Sequence, residues 1–364
     1  MKLRYLIVIF FALTIAVYFA LYSRGGVSYY VSPLGDDSNS GISPDAALKT
    51  IQEAINLAQP GDTINLADGT YSQDIITKRD GTKNRPITIK GSADAILKGE
   101  MKARIFEVNH SYIYVEGFTI DGLREPDEAS SYRKKHKLLF IHGKKPKRGP
   151  KGIKVTNMTF RNAGGECLRL RYFVEETEIA YNTFSNCGIY DFKFNGGGKN
   201  GEAIYIGTSS KQWDDGKNPT DDPDQSSNNW IHDNTMDTQG NECVDIKEGA
   251  TDNIIEYNKC TGQKDPNSGG FSSRGDSNIF RYNEIYDNIG TGFWLGERKV
   301  NGVQYGMNND VYENNIRDNT RGGIGFQVMP QGQVCGNTIV NDDEKGSIGK
   351  YGSELDPTQP CNPS

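Results

Sequence analysis

Two short segments concentrate side chains whose types and spacing suit catalysis. Asn241-Glu-Cys-Val-Asp-Ile-Lys-Glu248 places three carboxylates and a lysine within eight residues, and Gly270-Phe-Ser-Ser-Arg274 follows with an arginine. If Val244 and Ile246 point inward on a strand, Asp245 and Lys247 share the outward face. Two further segments align with the first, Glu166-Cys-Leu-Arg-Leu-Arg171 and Glu202-Ala-Ile-Tyr-Ile-Gly207. Were these stacked as parallel strands, Glu202 and Glu242 would lie about 5 Å apart. Carboxylates that close repel unless protonated or bridged by a cation, and all-oxygen donors favour a hard one such as Ca²⁺. A lysine and an arginine beside such a cluster suit β-elimination from a polyuronate. The cation would neutralise the sugar carboxylate and acidify the C5 proton, lysine would remove that proton, and arginine would stabilise charge or reprotonate the leaving oxygen. The competing interpretation is structural, an acidic rim with lysine and arginine ion pairs on a protein of net charge −6.

Those segments can act together only if the chain stacks them, and a repeat provides for that. An apolar or aromatic residue precedes an Asn, with an apolar residue two or three places after it, around Asn157, Asn182, Asn234, Asn258, Asn283, Asn314 and Asn337. The steps are 25, 52, 24, 25, 31 and 23 residues, so each is one coil, the 52 being two coils or one with a long insertion. Strands of three to six residues alternate between these positions and are broken by Gly, Asn and Asp turns. Period and strand length predict an all-β fold, a right-handed single-stranded parallel β-helix with an internal Asn ladder. Apolar residues make up only 35% of the chain, as a narrow core wrapped by many turns requires.

One large solenoid domain over residues 27–364 is expected. Its first coil needs a cover. The periodicity at Leu48, Ile51, Ala54, Ile55 and Ala58, with Ser43 as N-cap and Pro60-Gly61 as stop, predicts a capping helix over 43–60. Residues 124–150 hold a basic insertion, 208–229 a second insertion, and 340–364 a C-terminal tail. Lys2 and Arg4 precede an apolar run over residues 6–22, so 1–24 is either a cleaved signal peptide or a retained signal-anchor. Both place the body outside the cytoplasm, secreted or membrane-anchored. There the six cysteines are candidates for disulfides, Cys335 with Cys361 pinning the tail, while Cys260 also suits a core position as a thiol.

Tyr30-Val-Ser-Pro33, the helical segment, Pro60-Gly-Asp-Thr-Ile64 and Gly69-Thr-Tyr71 resemble the exported β-helix carbohydrate-active proteins. Asn200-Gly-Glu-Ala-Ile-Tyr-Ile-Gly-Thr-Ser209, then Glu242 through Lys247, then Phe271-Ser-Ser-Arg274 are similar to the central coils of the alginate lyase and chondroitinase B family of polysaccharide lyases. That resemblance, over roughly residues 195–290, implies Lys247 as base, Arg274 as acid, and Asn200, Glu202 and Glu242 as Ca²⁺ ligands. The family's second glutamate, two places before Glu242, is Gly240 here, which moves the ligand role toward Asp245.

Substrate contacts are expected from Trp213, Trp294, Arg298 and Arg171, with an anionic polysaccharide as partner and a monomer as the working state. The basic stretches Arg133 to Lys137 and Lys144 to Arg148 could steer such a polymer or be a solvated loop. No basic stripe with interleaved aromatics points to nucleic acid. Besides a lyase, two functions suit the same fold: a uronate C5-epimerase, which shares the proton abstraction, and a non-catalytic carbohydrate-binding or cell-surface protein.

Overall fold

The computed structural model describes residues 25–100, 102–133, 136–341 and 346–361. The expected signal or anchor segment lies outside them. Among the described residues no helix is long and apolar enough to cross a membrane.

Among the described residues the chain winds through three parallel sheets in turn, with 11, 10 and 10 strands. One coil shows the pattern. Ile254–Glu256 lies in the first sheet, Lys259–Thr261 in the second and Gly269–Ser273 in the third, before Ile279–Arg281 returns to the first. This is the expected right-handed parallel β-helix. Strands of the three sheets pair in register with their equivalents one coil away, as Ile255 does with Ile231 and Phe280. Inward residues therefore stack on their own copies. Phe160 and Phe184 lie parallel at 4.8 Å, and the column continues through Met236, Cys260, Ile285 and Ile316, all buried.

The turn between the first and second sheets is made by one residue in the left-handed region, Tyr181, Asp233, Tyr257, Tyr282 or Glu313, followed by the ladder Asn. Asn182, Asn234, Asn258, Asn283, Asn314 and Asn337 pass an amide hydrogen bond from coil to coil, Nδ2 to Oδ1, at 2.9–3.1 Å. This satisfies buried amides that would otherwise be left unpaired. Asn157 is a correction. Register pairs Val155 with Ile179, which puts Met158 at the ladder position and Asn157 at the left-handed one, φ 55°. A second ladder, Asn229, Asn253, Asn278 and Asn309, precedes the first-sheet strands, and Asn288 bonds Asn319 in a third. The 52-residue step is one coil, because Glu178–Ala180 pairs directly with Trp230–His232.

The capping helix is shorter than its periodicity predicts. It runs from Ile51 to Leu57 with Thr50 as N-cap, and a separate 3-10 turn occupies Pro44–Ala46. Between them Leu48 bridges to Val31, while Asp37 accepts hydrogen bonds from the Lys49 and Thr50 amides and holds the backbone extended. At the far end Cys335 is bonded to Cys361, and Asn337, last in its ladder, donates to the Pro357 carbonyl at 3.0 Å. The remaining cysteines pair as Cys167–Cys187 and Cys243–Cys260, so the Cys260 thiol alternative falls.

The 124–150 stretch is not one insertion. Its middle, Lys137–His142, is a buried third-sheet strand between Arg104–Val108 and Leu168–Arg171. Lys137 is thereby removed from solvent and ion-paired with Glu166.

Candidate active site

The third sheet aligns the chemistry. Tyr205, Asp245 and Ser272 are paired neighbours, as are Ile206, Ile246 and Ser273. One residue further on, Lys247 and Arg274 occupy equivalent positions on adjacent coils. Two residues before each paired strand, Glu202 and Glu242 do the same, with the Ala203 amide donating to the Glu242 carbonyl at 3.0 Å. Glu202, Tyr205, Glu242, Lys247, Arg274 and Trp294 line one groove of about 460 Å³. A larger cavity of about 720 Å³, bounded by Leu123, Ile189, Phe192 and Asp191, contains none of the six.

Glu202, Glu242 and Asp245 bring carboxylate oxygens within 4.8 Å of one another, and none is more than 5% exposed. Three buried anions there are mutually repulsive. Burial, and then Glu166 and Glu242, push the Glu202 carboxyl well above the usual range. Burial and Asp245 push Glu242 up to about 7. Glu166, the third glutamate of the row, is answered by Lys137 and by Arg169 at 3.1 Å, and its carboxyl is held low. The donor set fits a hard cation. Glu242 Oε2, Asp245 Oδ1 and Asn241 Oδ1 are buried without a hydrogen-bond partner among the described residues, and each of these ligand atoms is an oxygen. Asn241 was not among the sequence candidates, although it opens the segment; its Nδ2 donates to the Lys199 carbonyl, which leaves its oxygen over. Asn200 lines the same groove, with its backbone N and Nδ2 both donating to Asp191, at 2.9 and 3.0 Å.

Lys247 is ion-paired with Asp245 and lies 4.7 Å above the Tyr205 ring. Burial disfavours its charge, but Asp245 and Tyr205 outweigh that and hold its pKa above that of an ordinary lysine. Arg274 donates through Nε to Glu248 Oε1 at 2.7 Å. Tyr205 and Glu248 were also missed in the sequence. Tyr205 aligns with Asp245 in the matched segments, and that alignment was the available signal.

The four substrate candidates separate. Trp294 lines the groove beside Ser272. Arg298 sits at the edge of a hairpin, its Nε donating to Ser210 Oγ at 3.0 Å. Arg171 and Trp213 do not face the groove. Arg171 is 4% exposed and bonded to Asn218 and Asp215, and Trp213 is 7% exposed, with Nε1 on the Thr208 carbonyl and its ring edge-on to Tyr305. Arg171 is covered by the 208–229 insertion, and Trp213, which belongs to it, is folded inward against Tyr305; no periodicity encodes that path.

The chondroitinase B family model matches residues 46–144, the first coils, and does not reach the groove. The uncharacterized protein YwoF of Bacillus subtilis (strain 168) is 27% identical over 111 residues, 28% of this chain and 24% of that protein. The match thus spans about a quarter of the length of that relative. An alginate lyase from Paenibacillus sp. superposes with a TM-score of 0.63 at 19% identity, covering 86% of this chain and 98% of that one. Pectate lyase Pel9A gives 0.60 at 15% identity, over 88% and 78%. A lacto-N-biosidase from Eubacterium ramulus gives 0.54 at 15%, over 89% and 67%. The chain therefore resembles the parallel β-helix polysaccharide lyases, as its motifs imply. At these identities the structural likeness shows the fold, which a glycosidase shares, so the reaction must be argued from the groove.

Proposed function

We propose that this protein is a polysaccharide lyase that cleaves a uronate-containing glycan by β-elimination. The observation that carries the reading is the equivalence of Lys247 and Arg274 on adjacent coils, opening into one groove beside three buried carboxylates, two of which, Glu242 and Asp245, keep oxygens with no hydrogen-bond partner among the described residues. Ca²⁺ is the cofactor, held by Glu202, Glu242 and Asp245 with Asn200 and Asn241 at the rim; when bound it supplies charge neutralisation for the sugar carboxylate, which acidifies C5–H. Lys247 takes the C5 proton on Nζ, the C4–O bond breaks as the C4–C5 double bond forms, and Arg274 returns a proton to the leaving oxygen. Asp245 holds Lys247 charged in the ligand-free protein, so Lys247 becomes a base only when that carboxylate is engaged elsewhere.

The partner is an anionic polysaccharide and the protein acts as a monomer. Three disulfides support an exported body, with residues 1–24 as signal or anchor.

The test is residues 27–364 against alginate, pectate, dermatan, chondroitin and glucuronan, with and without Ca²⁺, read by absorbance of the unsaturated product. Cleavage that needs Ca²⁺ and is lost in Lys247→Ala supports the reading. Full activity of Lys247→Ala would remove the assigned base, and proton exchange at C5 with unchanged chain length would point to an epimerase instead.

A further inference from the structure

The insertion that breaks the repeat is built into the groove. After Ile204–Ile206 the chain turns through Ser210–Gln212 and does not rejoin the first sheet until Trp230–His232. The tip is fixed on three sides. The Ser210 amide donates to Glu248 Oε2 at 3.0 Å, Arg298 Nε donates to Ser210 Oγ, and Arg169 Nη2 donates to Gln212 Oε1 at 3.1 Å. Glu248 is the same carboxylate that holds Arg274, so the tip and the catalytic row share a support.

This tip puts Lys211 on the groove wall, exposed. Four cations line the groove. Lys199 is paired with Asp265 at 2.7 Å, Lys247 with Asp245 and Arg274 with Glu248. Lys211 alone of the four has no carboxylate partner among the described residues. An incoming anion would have to displace an existing partner at the other three; at Lys211 it displaces only water.

We propose that Lys211 is a specificity residue that receives a second anionic group, on a sugar neighbouring the one at the carboxylate cluster, so that the groove selects glycans with carboxylates on successive sugars. The inference rests on the lyase reading for the location of the first carboxylate. Glycans that alternate a uronate with a neutral sugar present nothing to Lys211.

The test compares Lys211→Gln with the wild type on a homopolymeric uronate and on a glycan of alternating uronate and neutral hexosamine. On the homopolymer KM rises about fivefold, the size of one partly exposed charge pair, with kcat within twofold. The rise shrinks with added salt. KM for the alternating glycan does not change. An unchanged KM on the homopolymer, or an equal rise on both, overturns the proposal. If the wild type forms no unsaturated product from any polymer, the lyase reading fails separately. Calorimetric binding of a uronate tetrasaccharide then decides on Lys211: weaker binding by Lys211→Gln sustains it, and equal binding, or none by the wild type, ends it.

Discussion

Arg274 and Glu248 form a 2.7 Å ion pair in which the carboxylate is almost wholly buried and the guanidinium faces the groove. The second oxygen of Glu248 accepts the Ser210 amide, so one side chain orients the assigned acid and anchors the groove wall. Glu248→Gln keeps an acceptor for Ser210 and loses the charge. Its kcat/KM should fall at least about tenfold, the scale of losing a charge-assisted hydrogen bond, with little change in melting temperature. Glu248→Ala should lose both, and steady-state kinetics beside thermal denaturation separates the two effects.

The carboxylate cluster costs the metal-free protein stability. Glu242 has a folded pKa of about 7, above that of an unfolded glutamate, so the native state resists its ionisation. In the metal-free protein its destabilising effect is absent below the unfolded pKa, grows as pH rises and is complete above pH 7. Glu242→Gln should therefore stabilise the metal-free protein at pH 8, by a few kcal/mol at most, while abolishing stabilisation by Ca²⁺. Wild-type affinity for Ca²⁺ should increase from pH 6 to pH 8, with proton release on binding, measured by calorimetry in buffers of different ionisation enthalpy.

His142 sets an acid limit. It is 3% exposed, and neither ring nitrogen has a hydrogen-bond partner among the described residues. Burial, and then Lys144 and Arg171, carry its pKa down to about 3. The unfolded chain binds this proton first, so its contribution to stability is intact above about pH 6.5 and is lost as pH falls toward 3. By pH 5 the loss amounts to about 2 kcal/mol. His142→Phe should flatten that part of the profile in denaturant titrations at pH 5 and pH 7.

The ladders give a paired test. Asn258 donates to the Ile231 and Glu256 carbonyls and to Asn283 Oδ1, and accepts from Asn234. Asn258→Ala strands several buried groups and should cost about 3 kcal/mol or more. Asn157, on the exposed left-handed turn, should tolerate Gly with little change. Equal losses in both would contradict the ladder register.

The sequence by itself determined the solenoid. A coil of about 25 residues with a fixed apolar position leaves few ways to bury the chain, and in-register stacking then makes Lys247 and Arg274 neighbours. Glu202 and Glu242 follow by the same arithmetic. What escaped it was contact without a period. Met158 stands where Asn157 was expected because the inward residue of that coil is Phe160, three places after Asn157 and two after Met158, in register with Phe184. Trp213 and Arg171 are withdrawn from a sugar by the path of the insertion, which buries its own Trp213 and covers Arg171. Glu248, Asn241 and Lys211 acquire meaning only from partners they have or lack, up to 42 residues away in the chain. Local periodicity specifies which faces stack; the path of an irregular loop, and the burial and pairing of charges beneath it, depend on distant residues and are decided in tertiary structure.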